Sequence, residues 1–144
     1  MFEKDYIMRM IQQMIRVLLH LFGLKEKGSF EEAYDLIDLT LQQFTGLSSK
    51  MIEDFDEESL LAFLSPGGNL NLERCFVVGV LLKEEGDILF GQNYTREGLV
   101  RFKKSFALLA KVKNTSYAEM LPQMDKIYKE LEEKITLSSF EKKD

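Results

Sequence analysis

The fold of this chain is decided by residues 84–109, EEGDILFGQNYTREGLVRFKKSFALL, which predict two helices folded against each other across a turn at residues 92–94. A shorter echo lies upstream at residues 28–41, GSFEEAYDLIDLTL. In both stretches a small residue, Ala33 or Gly98, follows a glutamate and is followed by apolar residues at helical spacing. The repetition predicts a small all-α protein built from antiparallel helical hairpins.

The composition is typical of a soluble globular protein with one core. The chain has 144 residues and 16.7 kDa, which suits a single helical domain over residues 1–144, and it is 45% hydrophobic and 30% charged. Its net charge of -5 argues against nucleic acid as a partner, because phosphate binding requires clustered lysine and arginine. The single cysteine excludes an internal disulfide and favours a reducing compartment.

The most apolar stretch, residues 7–24, predicts the first helix, from Asp5 to about Lys25. Its apolar stripe is Ile7, Met10, Ile11, Met14, Ile15, Leu18, Leu21 and Phe22. Polar residues interrupt the stretch, so we expect neither a signal peptide nor an integral membrane segment, and the predicted location is cytoplasmic. Because Met8, Val17 and Leu19 lie off the centre of the stripe and are also apolar, the helix is either central or partly covered by a second chain, which allows a homodimer through it.

The other periodic stretches bring the total to about six to seven helices. They cover about residues 29–45, 48–55, 57–64, 70–90, 95–111 and 116–137. Gly46 is predicted to end the second helix, and residues 65–69, SPGGN, are the clearest loop.

Side-chain caps are predicted at three helix starts. Ser29 with Glu32, and Ser116 with Glu119, have the spacing of a capping box, in which each side chain satisfies a free backbone N–H of the first turn. Thr95 is the predicted N-cap of its helix.

Helix-breaking residues and chain ends lead to further predictions. Gly79 and Gly86 lie inside the long helix, where glycine costs about 1 kcal/mol against alanine, so each predicts the close approach of a neighbouring helix. Pro122 predicts a kink or restart in the last helix. Residues 1–4 and 138–144 are expected to fray.

The two hairpin segments resemble the tetratricopeptide repeat, in which small residues let a pair of helices pack closely. The downstream copy matches through Gly86, Asn93 in place of the turn glycine, Gly98, Phe102 and Ser105. The upstream copy matches through Gly28, Phe30, Ala33, Ile37 and Thr40, with Leu21 in place of the first-helix glycine. The copies lie about 65 residues apart, whereas a tandem array needs roughly 34. The resemblance therefore implies a small tetratricopeptide-like, right-handed bundle of hairpins and not a tandem array.

The opening residues 2–23, FEKDYIMRMIQQMIRVLLHLFG, are also similar to the start of a family of short uncharacterised bacterial proteins of unknown function. That second resemblance implies no activity. The function has to be inferred from the residues themselves.

No catalytic, cofactor or metal site is predicted, and the protein is expected not to be an enzyme. Cys75 lies on the apolar side of the long helix and the only histidine, His20, is on another helix, so an inert thiol is favoured over a nucleophile. The acidic run at residues 53–58 alternates as calcium ligands would, but it lacks the turn glycine and the late glutamate, which favours a solvated helix junction. Residues 65–69 lack the Gly-Lys-Ser/Thr ending of a phosphate loop.

A local basic patch is predicted on the helix after the central turn. It consists of Lys103, Lys104, Lys111 and Lys113. The patch is small against the acidic balance of the chain, so a solvated face is favoured, with an acidic partner segment as the alternative.

The tetratricopeptide resemblance implies a groove along the first helices of the hairpins. Its candidate lining residues are Ile15, Leu18, Phe22, Val80, Lys83, Asp87 and Phe90. Because helical hairpin arrays bind extended or helical peptides along such a wall, the predicted function is non-enzymatic protein–protein interaction or scaffolding. A small-molecule or lipid-binding bundle is the alternative function. Ile15, Leu18 and Phe22 are expected instead to be ordinary core residues covered by the last helix. This alternative is favoured because a chain of this length buries most of its large apolar residues in its own core.

Overall fold

The computed structural model describes residues 2–115 and 124–141, and these residues form seven α-helices and one short 3-10 turn. The elements are α1 Phe2–Glu26, α2 Phe30–Thr45, α3 Ser49–Asp54, α4 Glu57–Phe63, the 3-10 turn Pro66–Gly68, α5 Leu72–Gly91, α6 Thr95–Lys113 and α7 Met124–Glu141. The prediction of an all-α protein with six to seven helices is confirmed over the described residues.

The long helix α5 lies at the centre of the bundle. Residues 75–82 are buried on every side of the helix, which is the pattern of a fully enclosed helix and not of an amphipathic one. α6 packs along α5, α2 packs on α5 as well, α1 packs on α2, and α7 packs on α6. The buried apolar side chains of these helices form one connected cluster.

The turn between α1 and α2 is closed by backbone hydrogen bonds. Gly28 has φ +73°, the left-handed conformation that ends many helices and that glycine adopts without a steric penalty. The N–H of Ser29 donates to the carbonyl of Leu24 at 2.9 Å, and the N–H of Gly28 donates to the carbonyl of Lys25 at 3.1 Å. This pair of bonds is a Schellman motif.

The turn between α5 and α6 repeats that geometry. Asn93 takes the left-handed position with φ +71°, which asparagine tolerates better than other residues with a side chain. The N–H of Tyr94 donates to the carbonyl of Leu89 at 2.8 Å, and the N–H of Asn93 donates to the carbonyl of Phe90 at 3.0 Å. The predicted turn at residues 92–94 is confirmed, and both hairpins reverse the chain in the same way.

Small residues bring α5 and α6 close together, as predicted. A methyl group on Gly86 would lie 2.5 Å from a ring carbon of Phe102, and a methyl group on Gly98 would meet the ring of Phe90. One on Gly79 would lie 2.6 Å from the Leu109 side chain. These contacts are too short for any residue larger than glycine unless the neighbours shift.

The predicted capping box at Ser29 is wrong. Ser29 is the N-cap of α2, but its side chain makes no cap hydrogen bond. Its ψ is 64°, because the same residue also closes the end of α1, whereas Ser48, with an extended ψ of 162°, does accept from the backbone of α3. The backbone path between two tightly linked helices therefore decides whether the serine can cap.

Two other predictions about helix ends are corrected. The N-cap of α6 is Tyr94, again with ψ 64° and no side-chain bond, and Thr95 is the first helical residue. Helix α1 already begins at Phe2, and α7 continues to Glu141 because residues 124–141 contain neither proline nor glycine. The predicted capping box at Ser116 and Glu119 and the predicted kink at Pro122 lie outside the described residues.

Candidate protein-contact site

Helix α1 carries an exposed apolar stripe, which we call the α1 stripe and define as Met8, Ile15, Leu19 and Phe22. Their exposed fractions are 47%, 47%, 67% and 60%. The intervals of seven, four and three residues place all four on one face of the helix. The opposite side of α1 is buried in the core through Ile7, Met10, Ile11, Met14, Leu21 and Leu24. Helix α1 is therefore apolar around more than half of its circumference, and only part of that surface is covered.

The three predicted groove residues of α1 fall on or beside this stripe. Ile15 and Phe22 are exposed, while Leu18 is partly buried and packs against the core cluster. The favoured expectation that these residues are core covered by the last helix is wrong for Ile15 and Phe22. Helix α7 packs mainly on α6 and leaves these two side chains accessible.

The apolar groove residues predicted on α5 are engaged within the bundle. Val80 is 1% exposed. Phe90 is partly buried, and its ring stacks on that of Phe102 with 5.0 Å between the centroids. Both side chains stabilise the α5–α6 packing and are not joined to Ile15 and Phe22 as one open surface.

The charged groove residues predicted on α5 are bound to each other and to α7. Lys83 Nζ lies 3.0 Å from Asp87 Oδ2 and 3.2 Å from a carboxylate oxygen of Glu130, and Lys134 pairs with Asp87 from the other side. Burial alone would raise the pKa of Asp87, but the ammonium groups of Lys83 and Lys134 outweigh it and lower that pKa. Burial would likewise lower the pKa of Lys83, and the surrounding carboxylates raise it instead.

The network continues to α1 through one further pair. Lys25 Nζ lies 3.3 Å from Glu84 Oε2, and the same carboxylate oxygen is 3.9 Å from Lys83 Nζ. A chain of alternating charges therefore links α1, α5 and α7.

Two cationic side chains of α6 point inward, and the sequence reasoning did not foresee either. Arg101 pairs with buried Glu85 of α5 and lies 3.3 Å from a carboxylate oxygen of Glu53. Lys104 donates to the carbonyls of Ile52 at 3.2 Å and Glu53 at 2.9 Å, at the negative end of the short helix α3. The available signal was spacing, because Arg101 and Lys104 each precede a buried residue, Ser105 and Leu108, by four positions.

The predicted basic patch is consequently divided. Lys104 is buried, and Lys113 Nζ lies 4.0 Å from the centroid of the Tyr128 ring, a cation–π contact with α7. Lys103 and Lys111 remain exposed. The four lysines do not form one free surface.

The residues that could support chemistry are arranged as structural groups. Cys75 is fully buried, and burial raises the pKa of its thiol to about 12, so it stays protonated at neutral pH. His20 is exposed on α1. Asp56, in the acidic run, caps α4 by accepting from the N–H of Ser59 at 2.7 Å. Over residues 2–115 and 124–141, no group of three or more histidine, cysteine, aspartate or glutamate residues is placed to hold a metal ion.

Helix α1 also has the length and hydropathy of a membrane-spanning helix. The window Asp5–Glu26 reaches a mean hydropathy of 1.2, and 33% of it is buried within the protein. A core helix meets the same criterion, and α1 contributes Ile7, Met14 and Leu21 to the core.

Comparison with known proteins gives one match. The model of a family of unknown function (DUF6483) matches residues 1–142. No curated protein and no solved structure matches the chain. The family description states no activity.

Proposed function

The chain belongs to the DUF6483 family of unknown function, and we propose that it is a non-enzymatic contact module that binds a helix through the α1 stripe. The observation that carries the proposal is the exposure of four large apolar side chains on one helical face, at 47% to 67%. Contiguous apolar patches of this kind mark sites of association more often than single exposed residues do. Burying them would supply the driving force for binding.

The spacing of the α1 stripe favours a helix as the bound element. Together with exposed Gln12, the stripe residues Met8, Ile15, Leu19 and Phe22 follow each other at intervals of four, three, four and three. That alternation is the seam of a coiled coil, in which two positions of every seven pack against a partner helix. The seam covers about 15 residues, or roughly 21 Å of helix.

The occupant we propose is the α1 helix of a second copy. A second copy presents a seam of identical length and apolar character, and a two-fold contact buries both stripes at once. The one polar seam residue, Gln12, can satisfy its amide across such an interface and thereby fix the register of the two helices.

The proposal includes a tetratricopeptide-like organisation of the hairpins. It is supported by the matching turns at Gly28 and Asn93 and by the close crossing at Gly86 and Gly98. In such folds the first helix of each hairpin faces the ligand. Here α7 engages Lys83 and Asp87 on α5, the first helix of the second hairpin. Helix α1, the first helix of the other hairpin, carries the exposed apolar side chains. We propose a cytoplasmic location with it, in keeping with a single cysteine that forms no disulfide.

The test compares stripe variants with a matched control on another helix. Ile15→Glu combined with Phe22→Glu places two charges on the seam, while Leu39→Glu alters an isolated residue of α2 that is 53% exposed. In sedimentation velocity from about 1 μM to about 1 mM, we expect the parent and Leu39→Glu to dimerise and the double variant to stay monomeric. All three should keep the same helical circular dichroism, because the altered side chains are exposed. A parent that is monomeric over the whole range contradicts the proposed occupant.

A lipid surface is the second candidate for the α1 stripe. The observation that favours it is the mean hydropathy of 1.2 over Asp5–Glu26. An amphipathic helix can lie in a membrane interface with its apolar face inserted. Flotation with neutral and with anionic vesicles separates the candidates: a monomeric parent that floats, and a double variant that does not, would support lipid binding and contradict self-association.

A further inference from the structure

A groove between α1 and α2 lies on a different side of α1 from the stripe. Two adjoining cavities of about 440 and 460 Å³ share Gln13, Arg16, Gln43 and Phe44 among their lining residues, so they form one continuous groove. We call it the α1–α2 groove and define it by those four residues together with Tyr6 and Arg9.

Helix geometry shows that this groove faces away from α5. Arg16 precedes Lys25, which pairs with α5, by nine residues, and Gln43 follows Tyr34, which bonds the turn after α5, also by nine residues. Nine residues correspond to about two and a half helical turns, so each groove residue points to the side opposite its α5-facing counterpart. The groove is therefore on the outer face of the first hairpin.

The two arginines of the groove have no partner among the side chains that the structure describes. Arg9 and Arg16 form neither an ion pair nor a hydrogen bond there, whereas Lys25, Lys83 and Arg101 are all paired with carboxylates. In a protein with a net charge of -5, two free guanidinium groups beside one groove form a local positive site on an acidic molecule. Arginine pairs well with carboxylates because its planar group can donate two parallel hydrogen bonds.

We propose that the α1–α2 groove binds a helix of a partner protein that carries two carboxylates seven residues apart. Arg9 and Arg16 are themselves seven residues apart, about 10.5 Å along α1, and a helix lying along the groove repeats this spacing with residues i and i+7. Phe44 and Met10 add apolar side chains to the lining of the groove. The amides of Gln13 and Gln43 add neutral hydrogen-bonding groups beside the charges.

This proposal does not depend on the α1 stripe, and its partner is defined by charge spacing. Nucleic acid is disfavoured by the net charge of -5 of the chain. A helix with carboxylates at i and i+7 engages both arginines simultaneously.

The test uses synthetic helical peptides of about 18 residues, long enough for an alanine-rich sequence to be helical in water. One peptide carries glutamates at i and i+7 with a leucine midway, a second carries glutamines instead, and a third carries the glutamates at i and i+5. By fluorescence anisotropy in low salt we expect the first peptide to bind about tenfold more tightly than the other two. This preference should fall as salt is added, because the pairs lie at the surface.

Charge variants of the protein identify the groove as the binding site. Arg9→Gln with Arg16→Gln should abolish the preference, while Lys103→Gln with Lys111→Gln removes two exposed positive charges on α6 and should leave it unchanged. Arg9→Glu with Arg16→Glu should instead prefer a peptide with lysines at i and i+7. A role of the arginines in folding alone would not produce that reversal.

Two outcomes would overturn the proposal. One is equal binding of the glutamate and glutamine peptides by the parent protein, and the other is no binding of any peptide up to about 1 mM, the weakest affinity of interest. The proposal is supported if the parent protein and the lysine variant prefer the glutamate peptide and the Arg9→Gln, Arg16→Gln variant does not.

Discussion

At the crossing of α5 and α6, an aromatic ring from the facing helix occupies the space beside Gly86 and beside Gly98. The ring of Phe102 lies against Gly86 and the ring of Phe90 lies against Gly98, and the two rings stack on each other. The glycines were predictable because their cost inside a helix needs a compensating contact. The identity of the filling side chains was not, because it depends on how the two helices are rotated against each other.

Alanine should change the free energy of unfolding in opposite directions at a glycine in the crossing and at a glycine outside it. Gly86→Ala should lower the free energy of unfolding by about 1 to 3 kcal/mol, because the new methyl group would lie 2.5 Å from the Phe102 ring. Gly23→Ala in α1 meets nothing within 4 Å and should raise it by about 0.5 to 1 kcal/mol, because alanine loses less backbone entropy in a helix. Urea unfolding measures both values. Equal stabilities for the two variants would mean that Gly86 is not at a tight contact.

Charged residues that face inward were the least predictable residues of α6. Arg101 meets Glu85 from 16 positions earlier, and Lys104 meets a carbonyl 52 positions earlier, at Ile52. From the sequence, Lys104 is predicted to lie in a basic patch on a solvated face, and nothing is predicted for Arg101. Only the packing of α3 and α5 against α6 supplies their partners, and no local pattern encodes that packing.

At the scale of helices, positions were predicted better than caps. The turns at Gly28 and Asn93 follow from local residue chemistry, since both sites need a positive φ. The cap at Ser29 fails because its ψ is set by the tight link between α1 and α2, while Asn71, with ψ 101° and a loop before it, caps α5. A cap motif therefore predicts a helix start more reliably than it predicts the hydrogen bond.

Removing these two side chains should separate a real cap from an apparent one. Asn71→Ala deletes the acceptor of the 3.0 Å bond from the N–H of Arg74 and should cost about 1 kcal/mol of unfolding free energy. Ser29→Ala removes a hydroxyl that makes no cap bond and should change it by no more than a few tenths. Thermal and urea unfolding report both, since each helix belongs to the common core. A larger loss for Ser29→Ala than for Asn71→Ala would contradict the observed cap geometry.

Across the whole molecule, only two of the seven predicted groove residues are exposed. Ile15 and Phe22 are exposed, whereas Lys83 and Asp87 are held by Glu130 and Lys134 of α7. The alignment with the tetratricopeptide repeat correctly placed Ile15 and Phe22 on an exposed face of α1. It could not indicate that α7 engages the corresponding face of α5, because the residues that meet there lie 47 positions apart in the chain.

The network on α5 predicts how stability depends on pH. The lysines beside Asp87 lower its pKa below the ordinary value of 3.8, so the unfolded chain binds more protons than the folded protein in the acidic range. The contribution of the Asp87 carboxylate to the free energy of unfolding is therefore complete above about pH 5. It is lost as the pH falls below about 4, through the pKa of Asp87 in the folded protein. Asp87→Asn should cost about 1 to 3 kcal/mol at pH 7 and should flatten the acid side of the stability curve.

The matched control for this dependence is Asp35→Asn, which removes one exposed carboxylate from α2. Urea unfolding at intervals from about pH 7 to about pH 2 should give curves that are parallel for the parent and Asp35→Asn and that converge for the parent and Asp87→Asn. The convergence follows because protonated Asp87 and asparagine are both neutral partners for the two lysines. If the parent and Asp87→Asn stayed a constant distance apart down to pH 2, the pairing of α5 with α7 through Asp87 would not hold in solution.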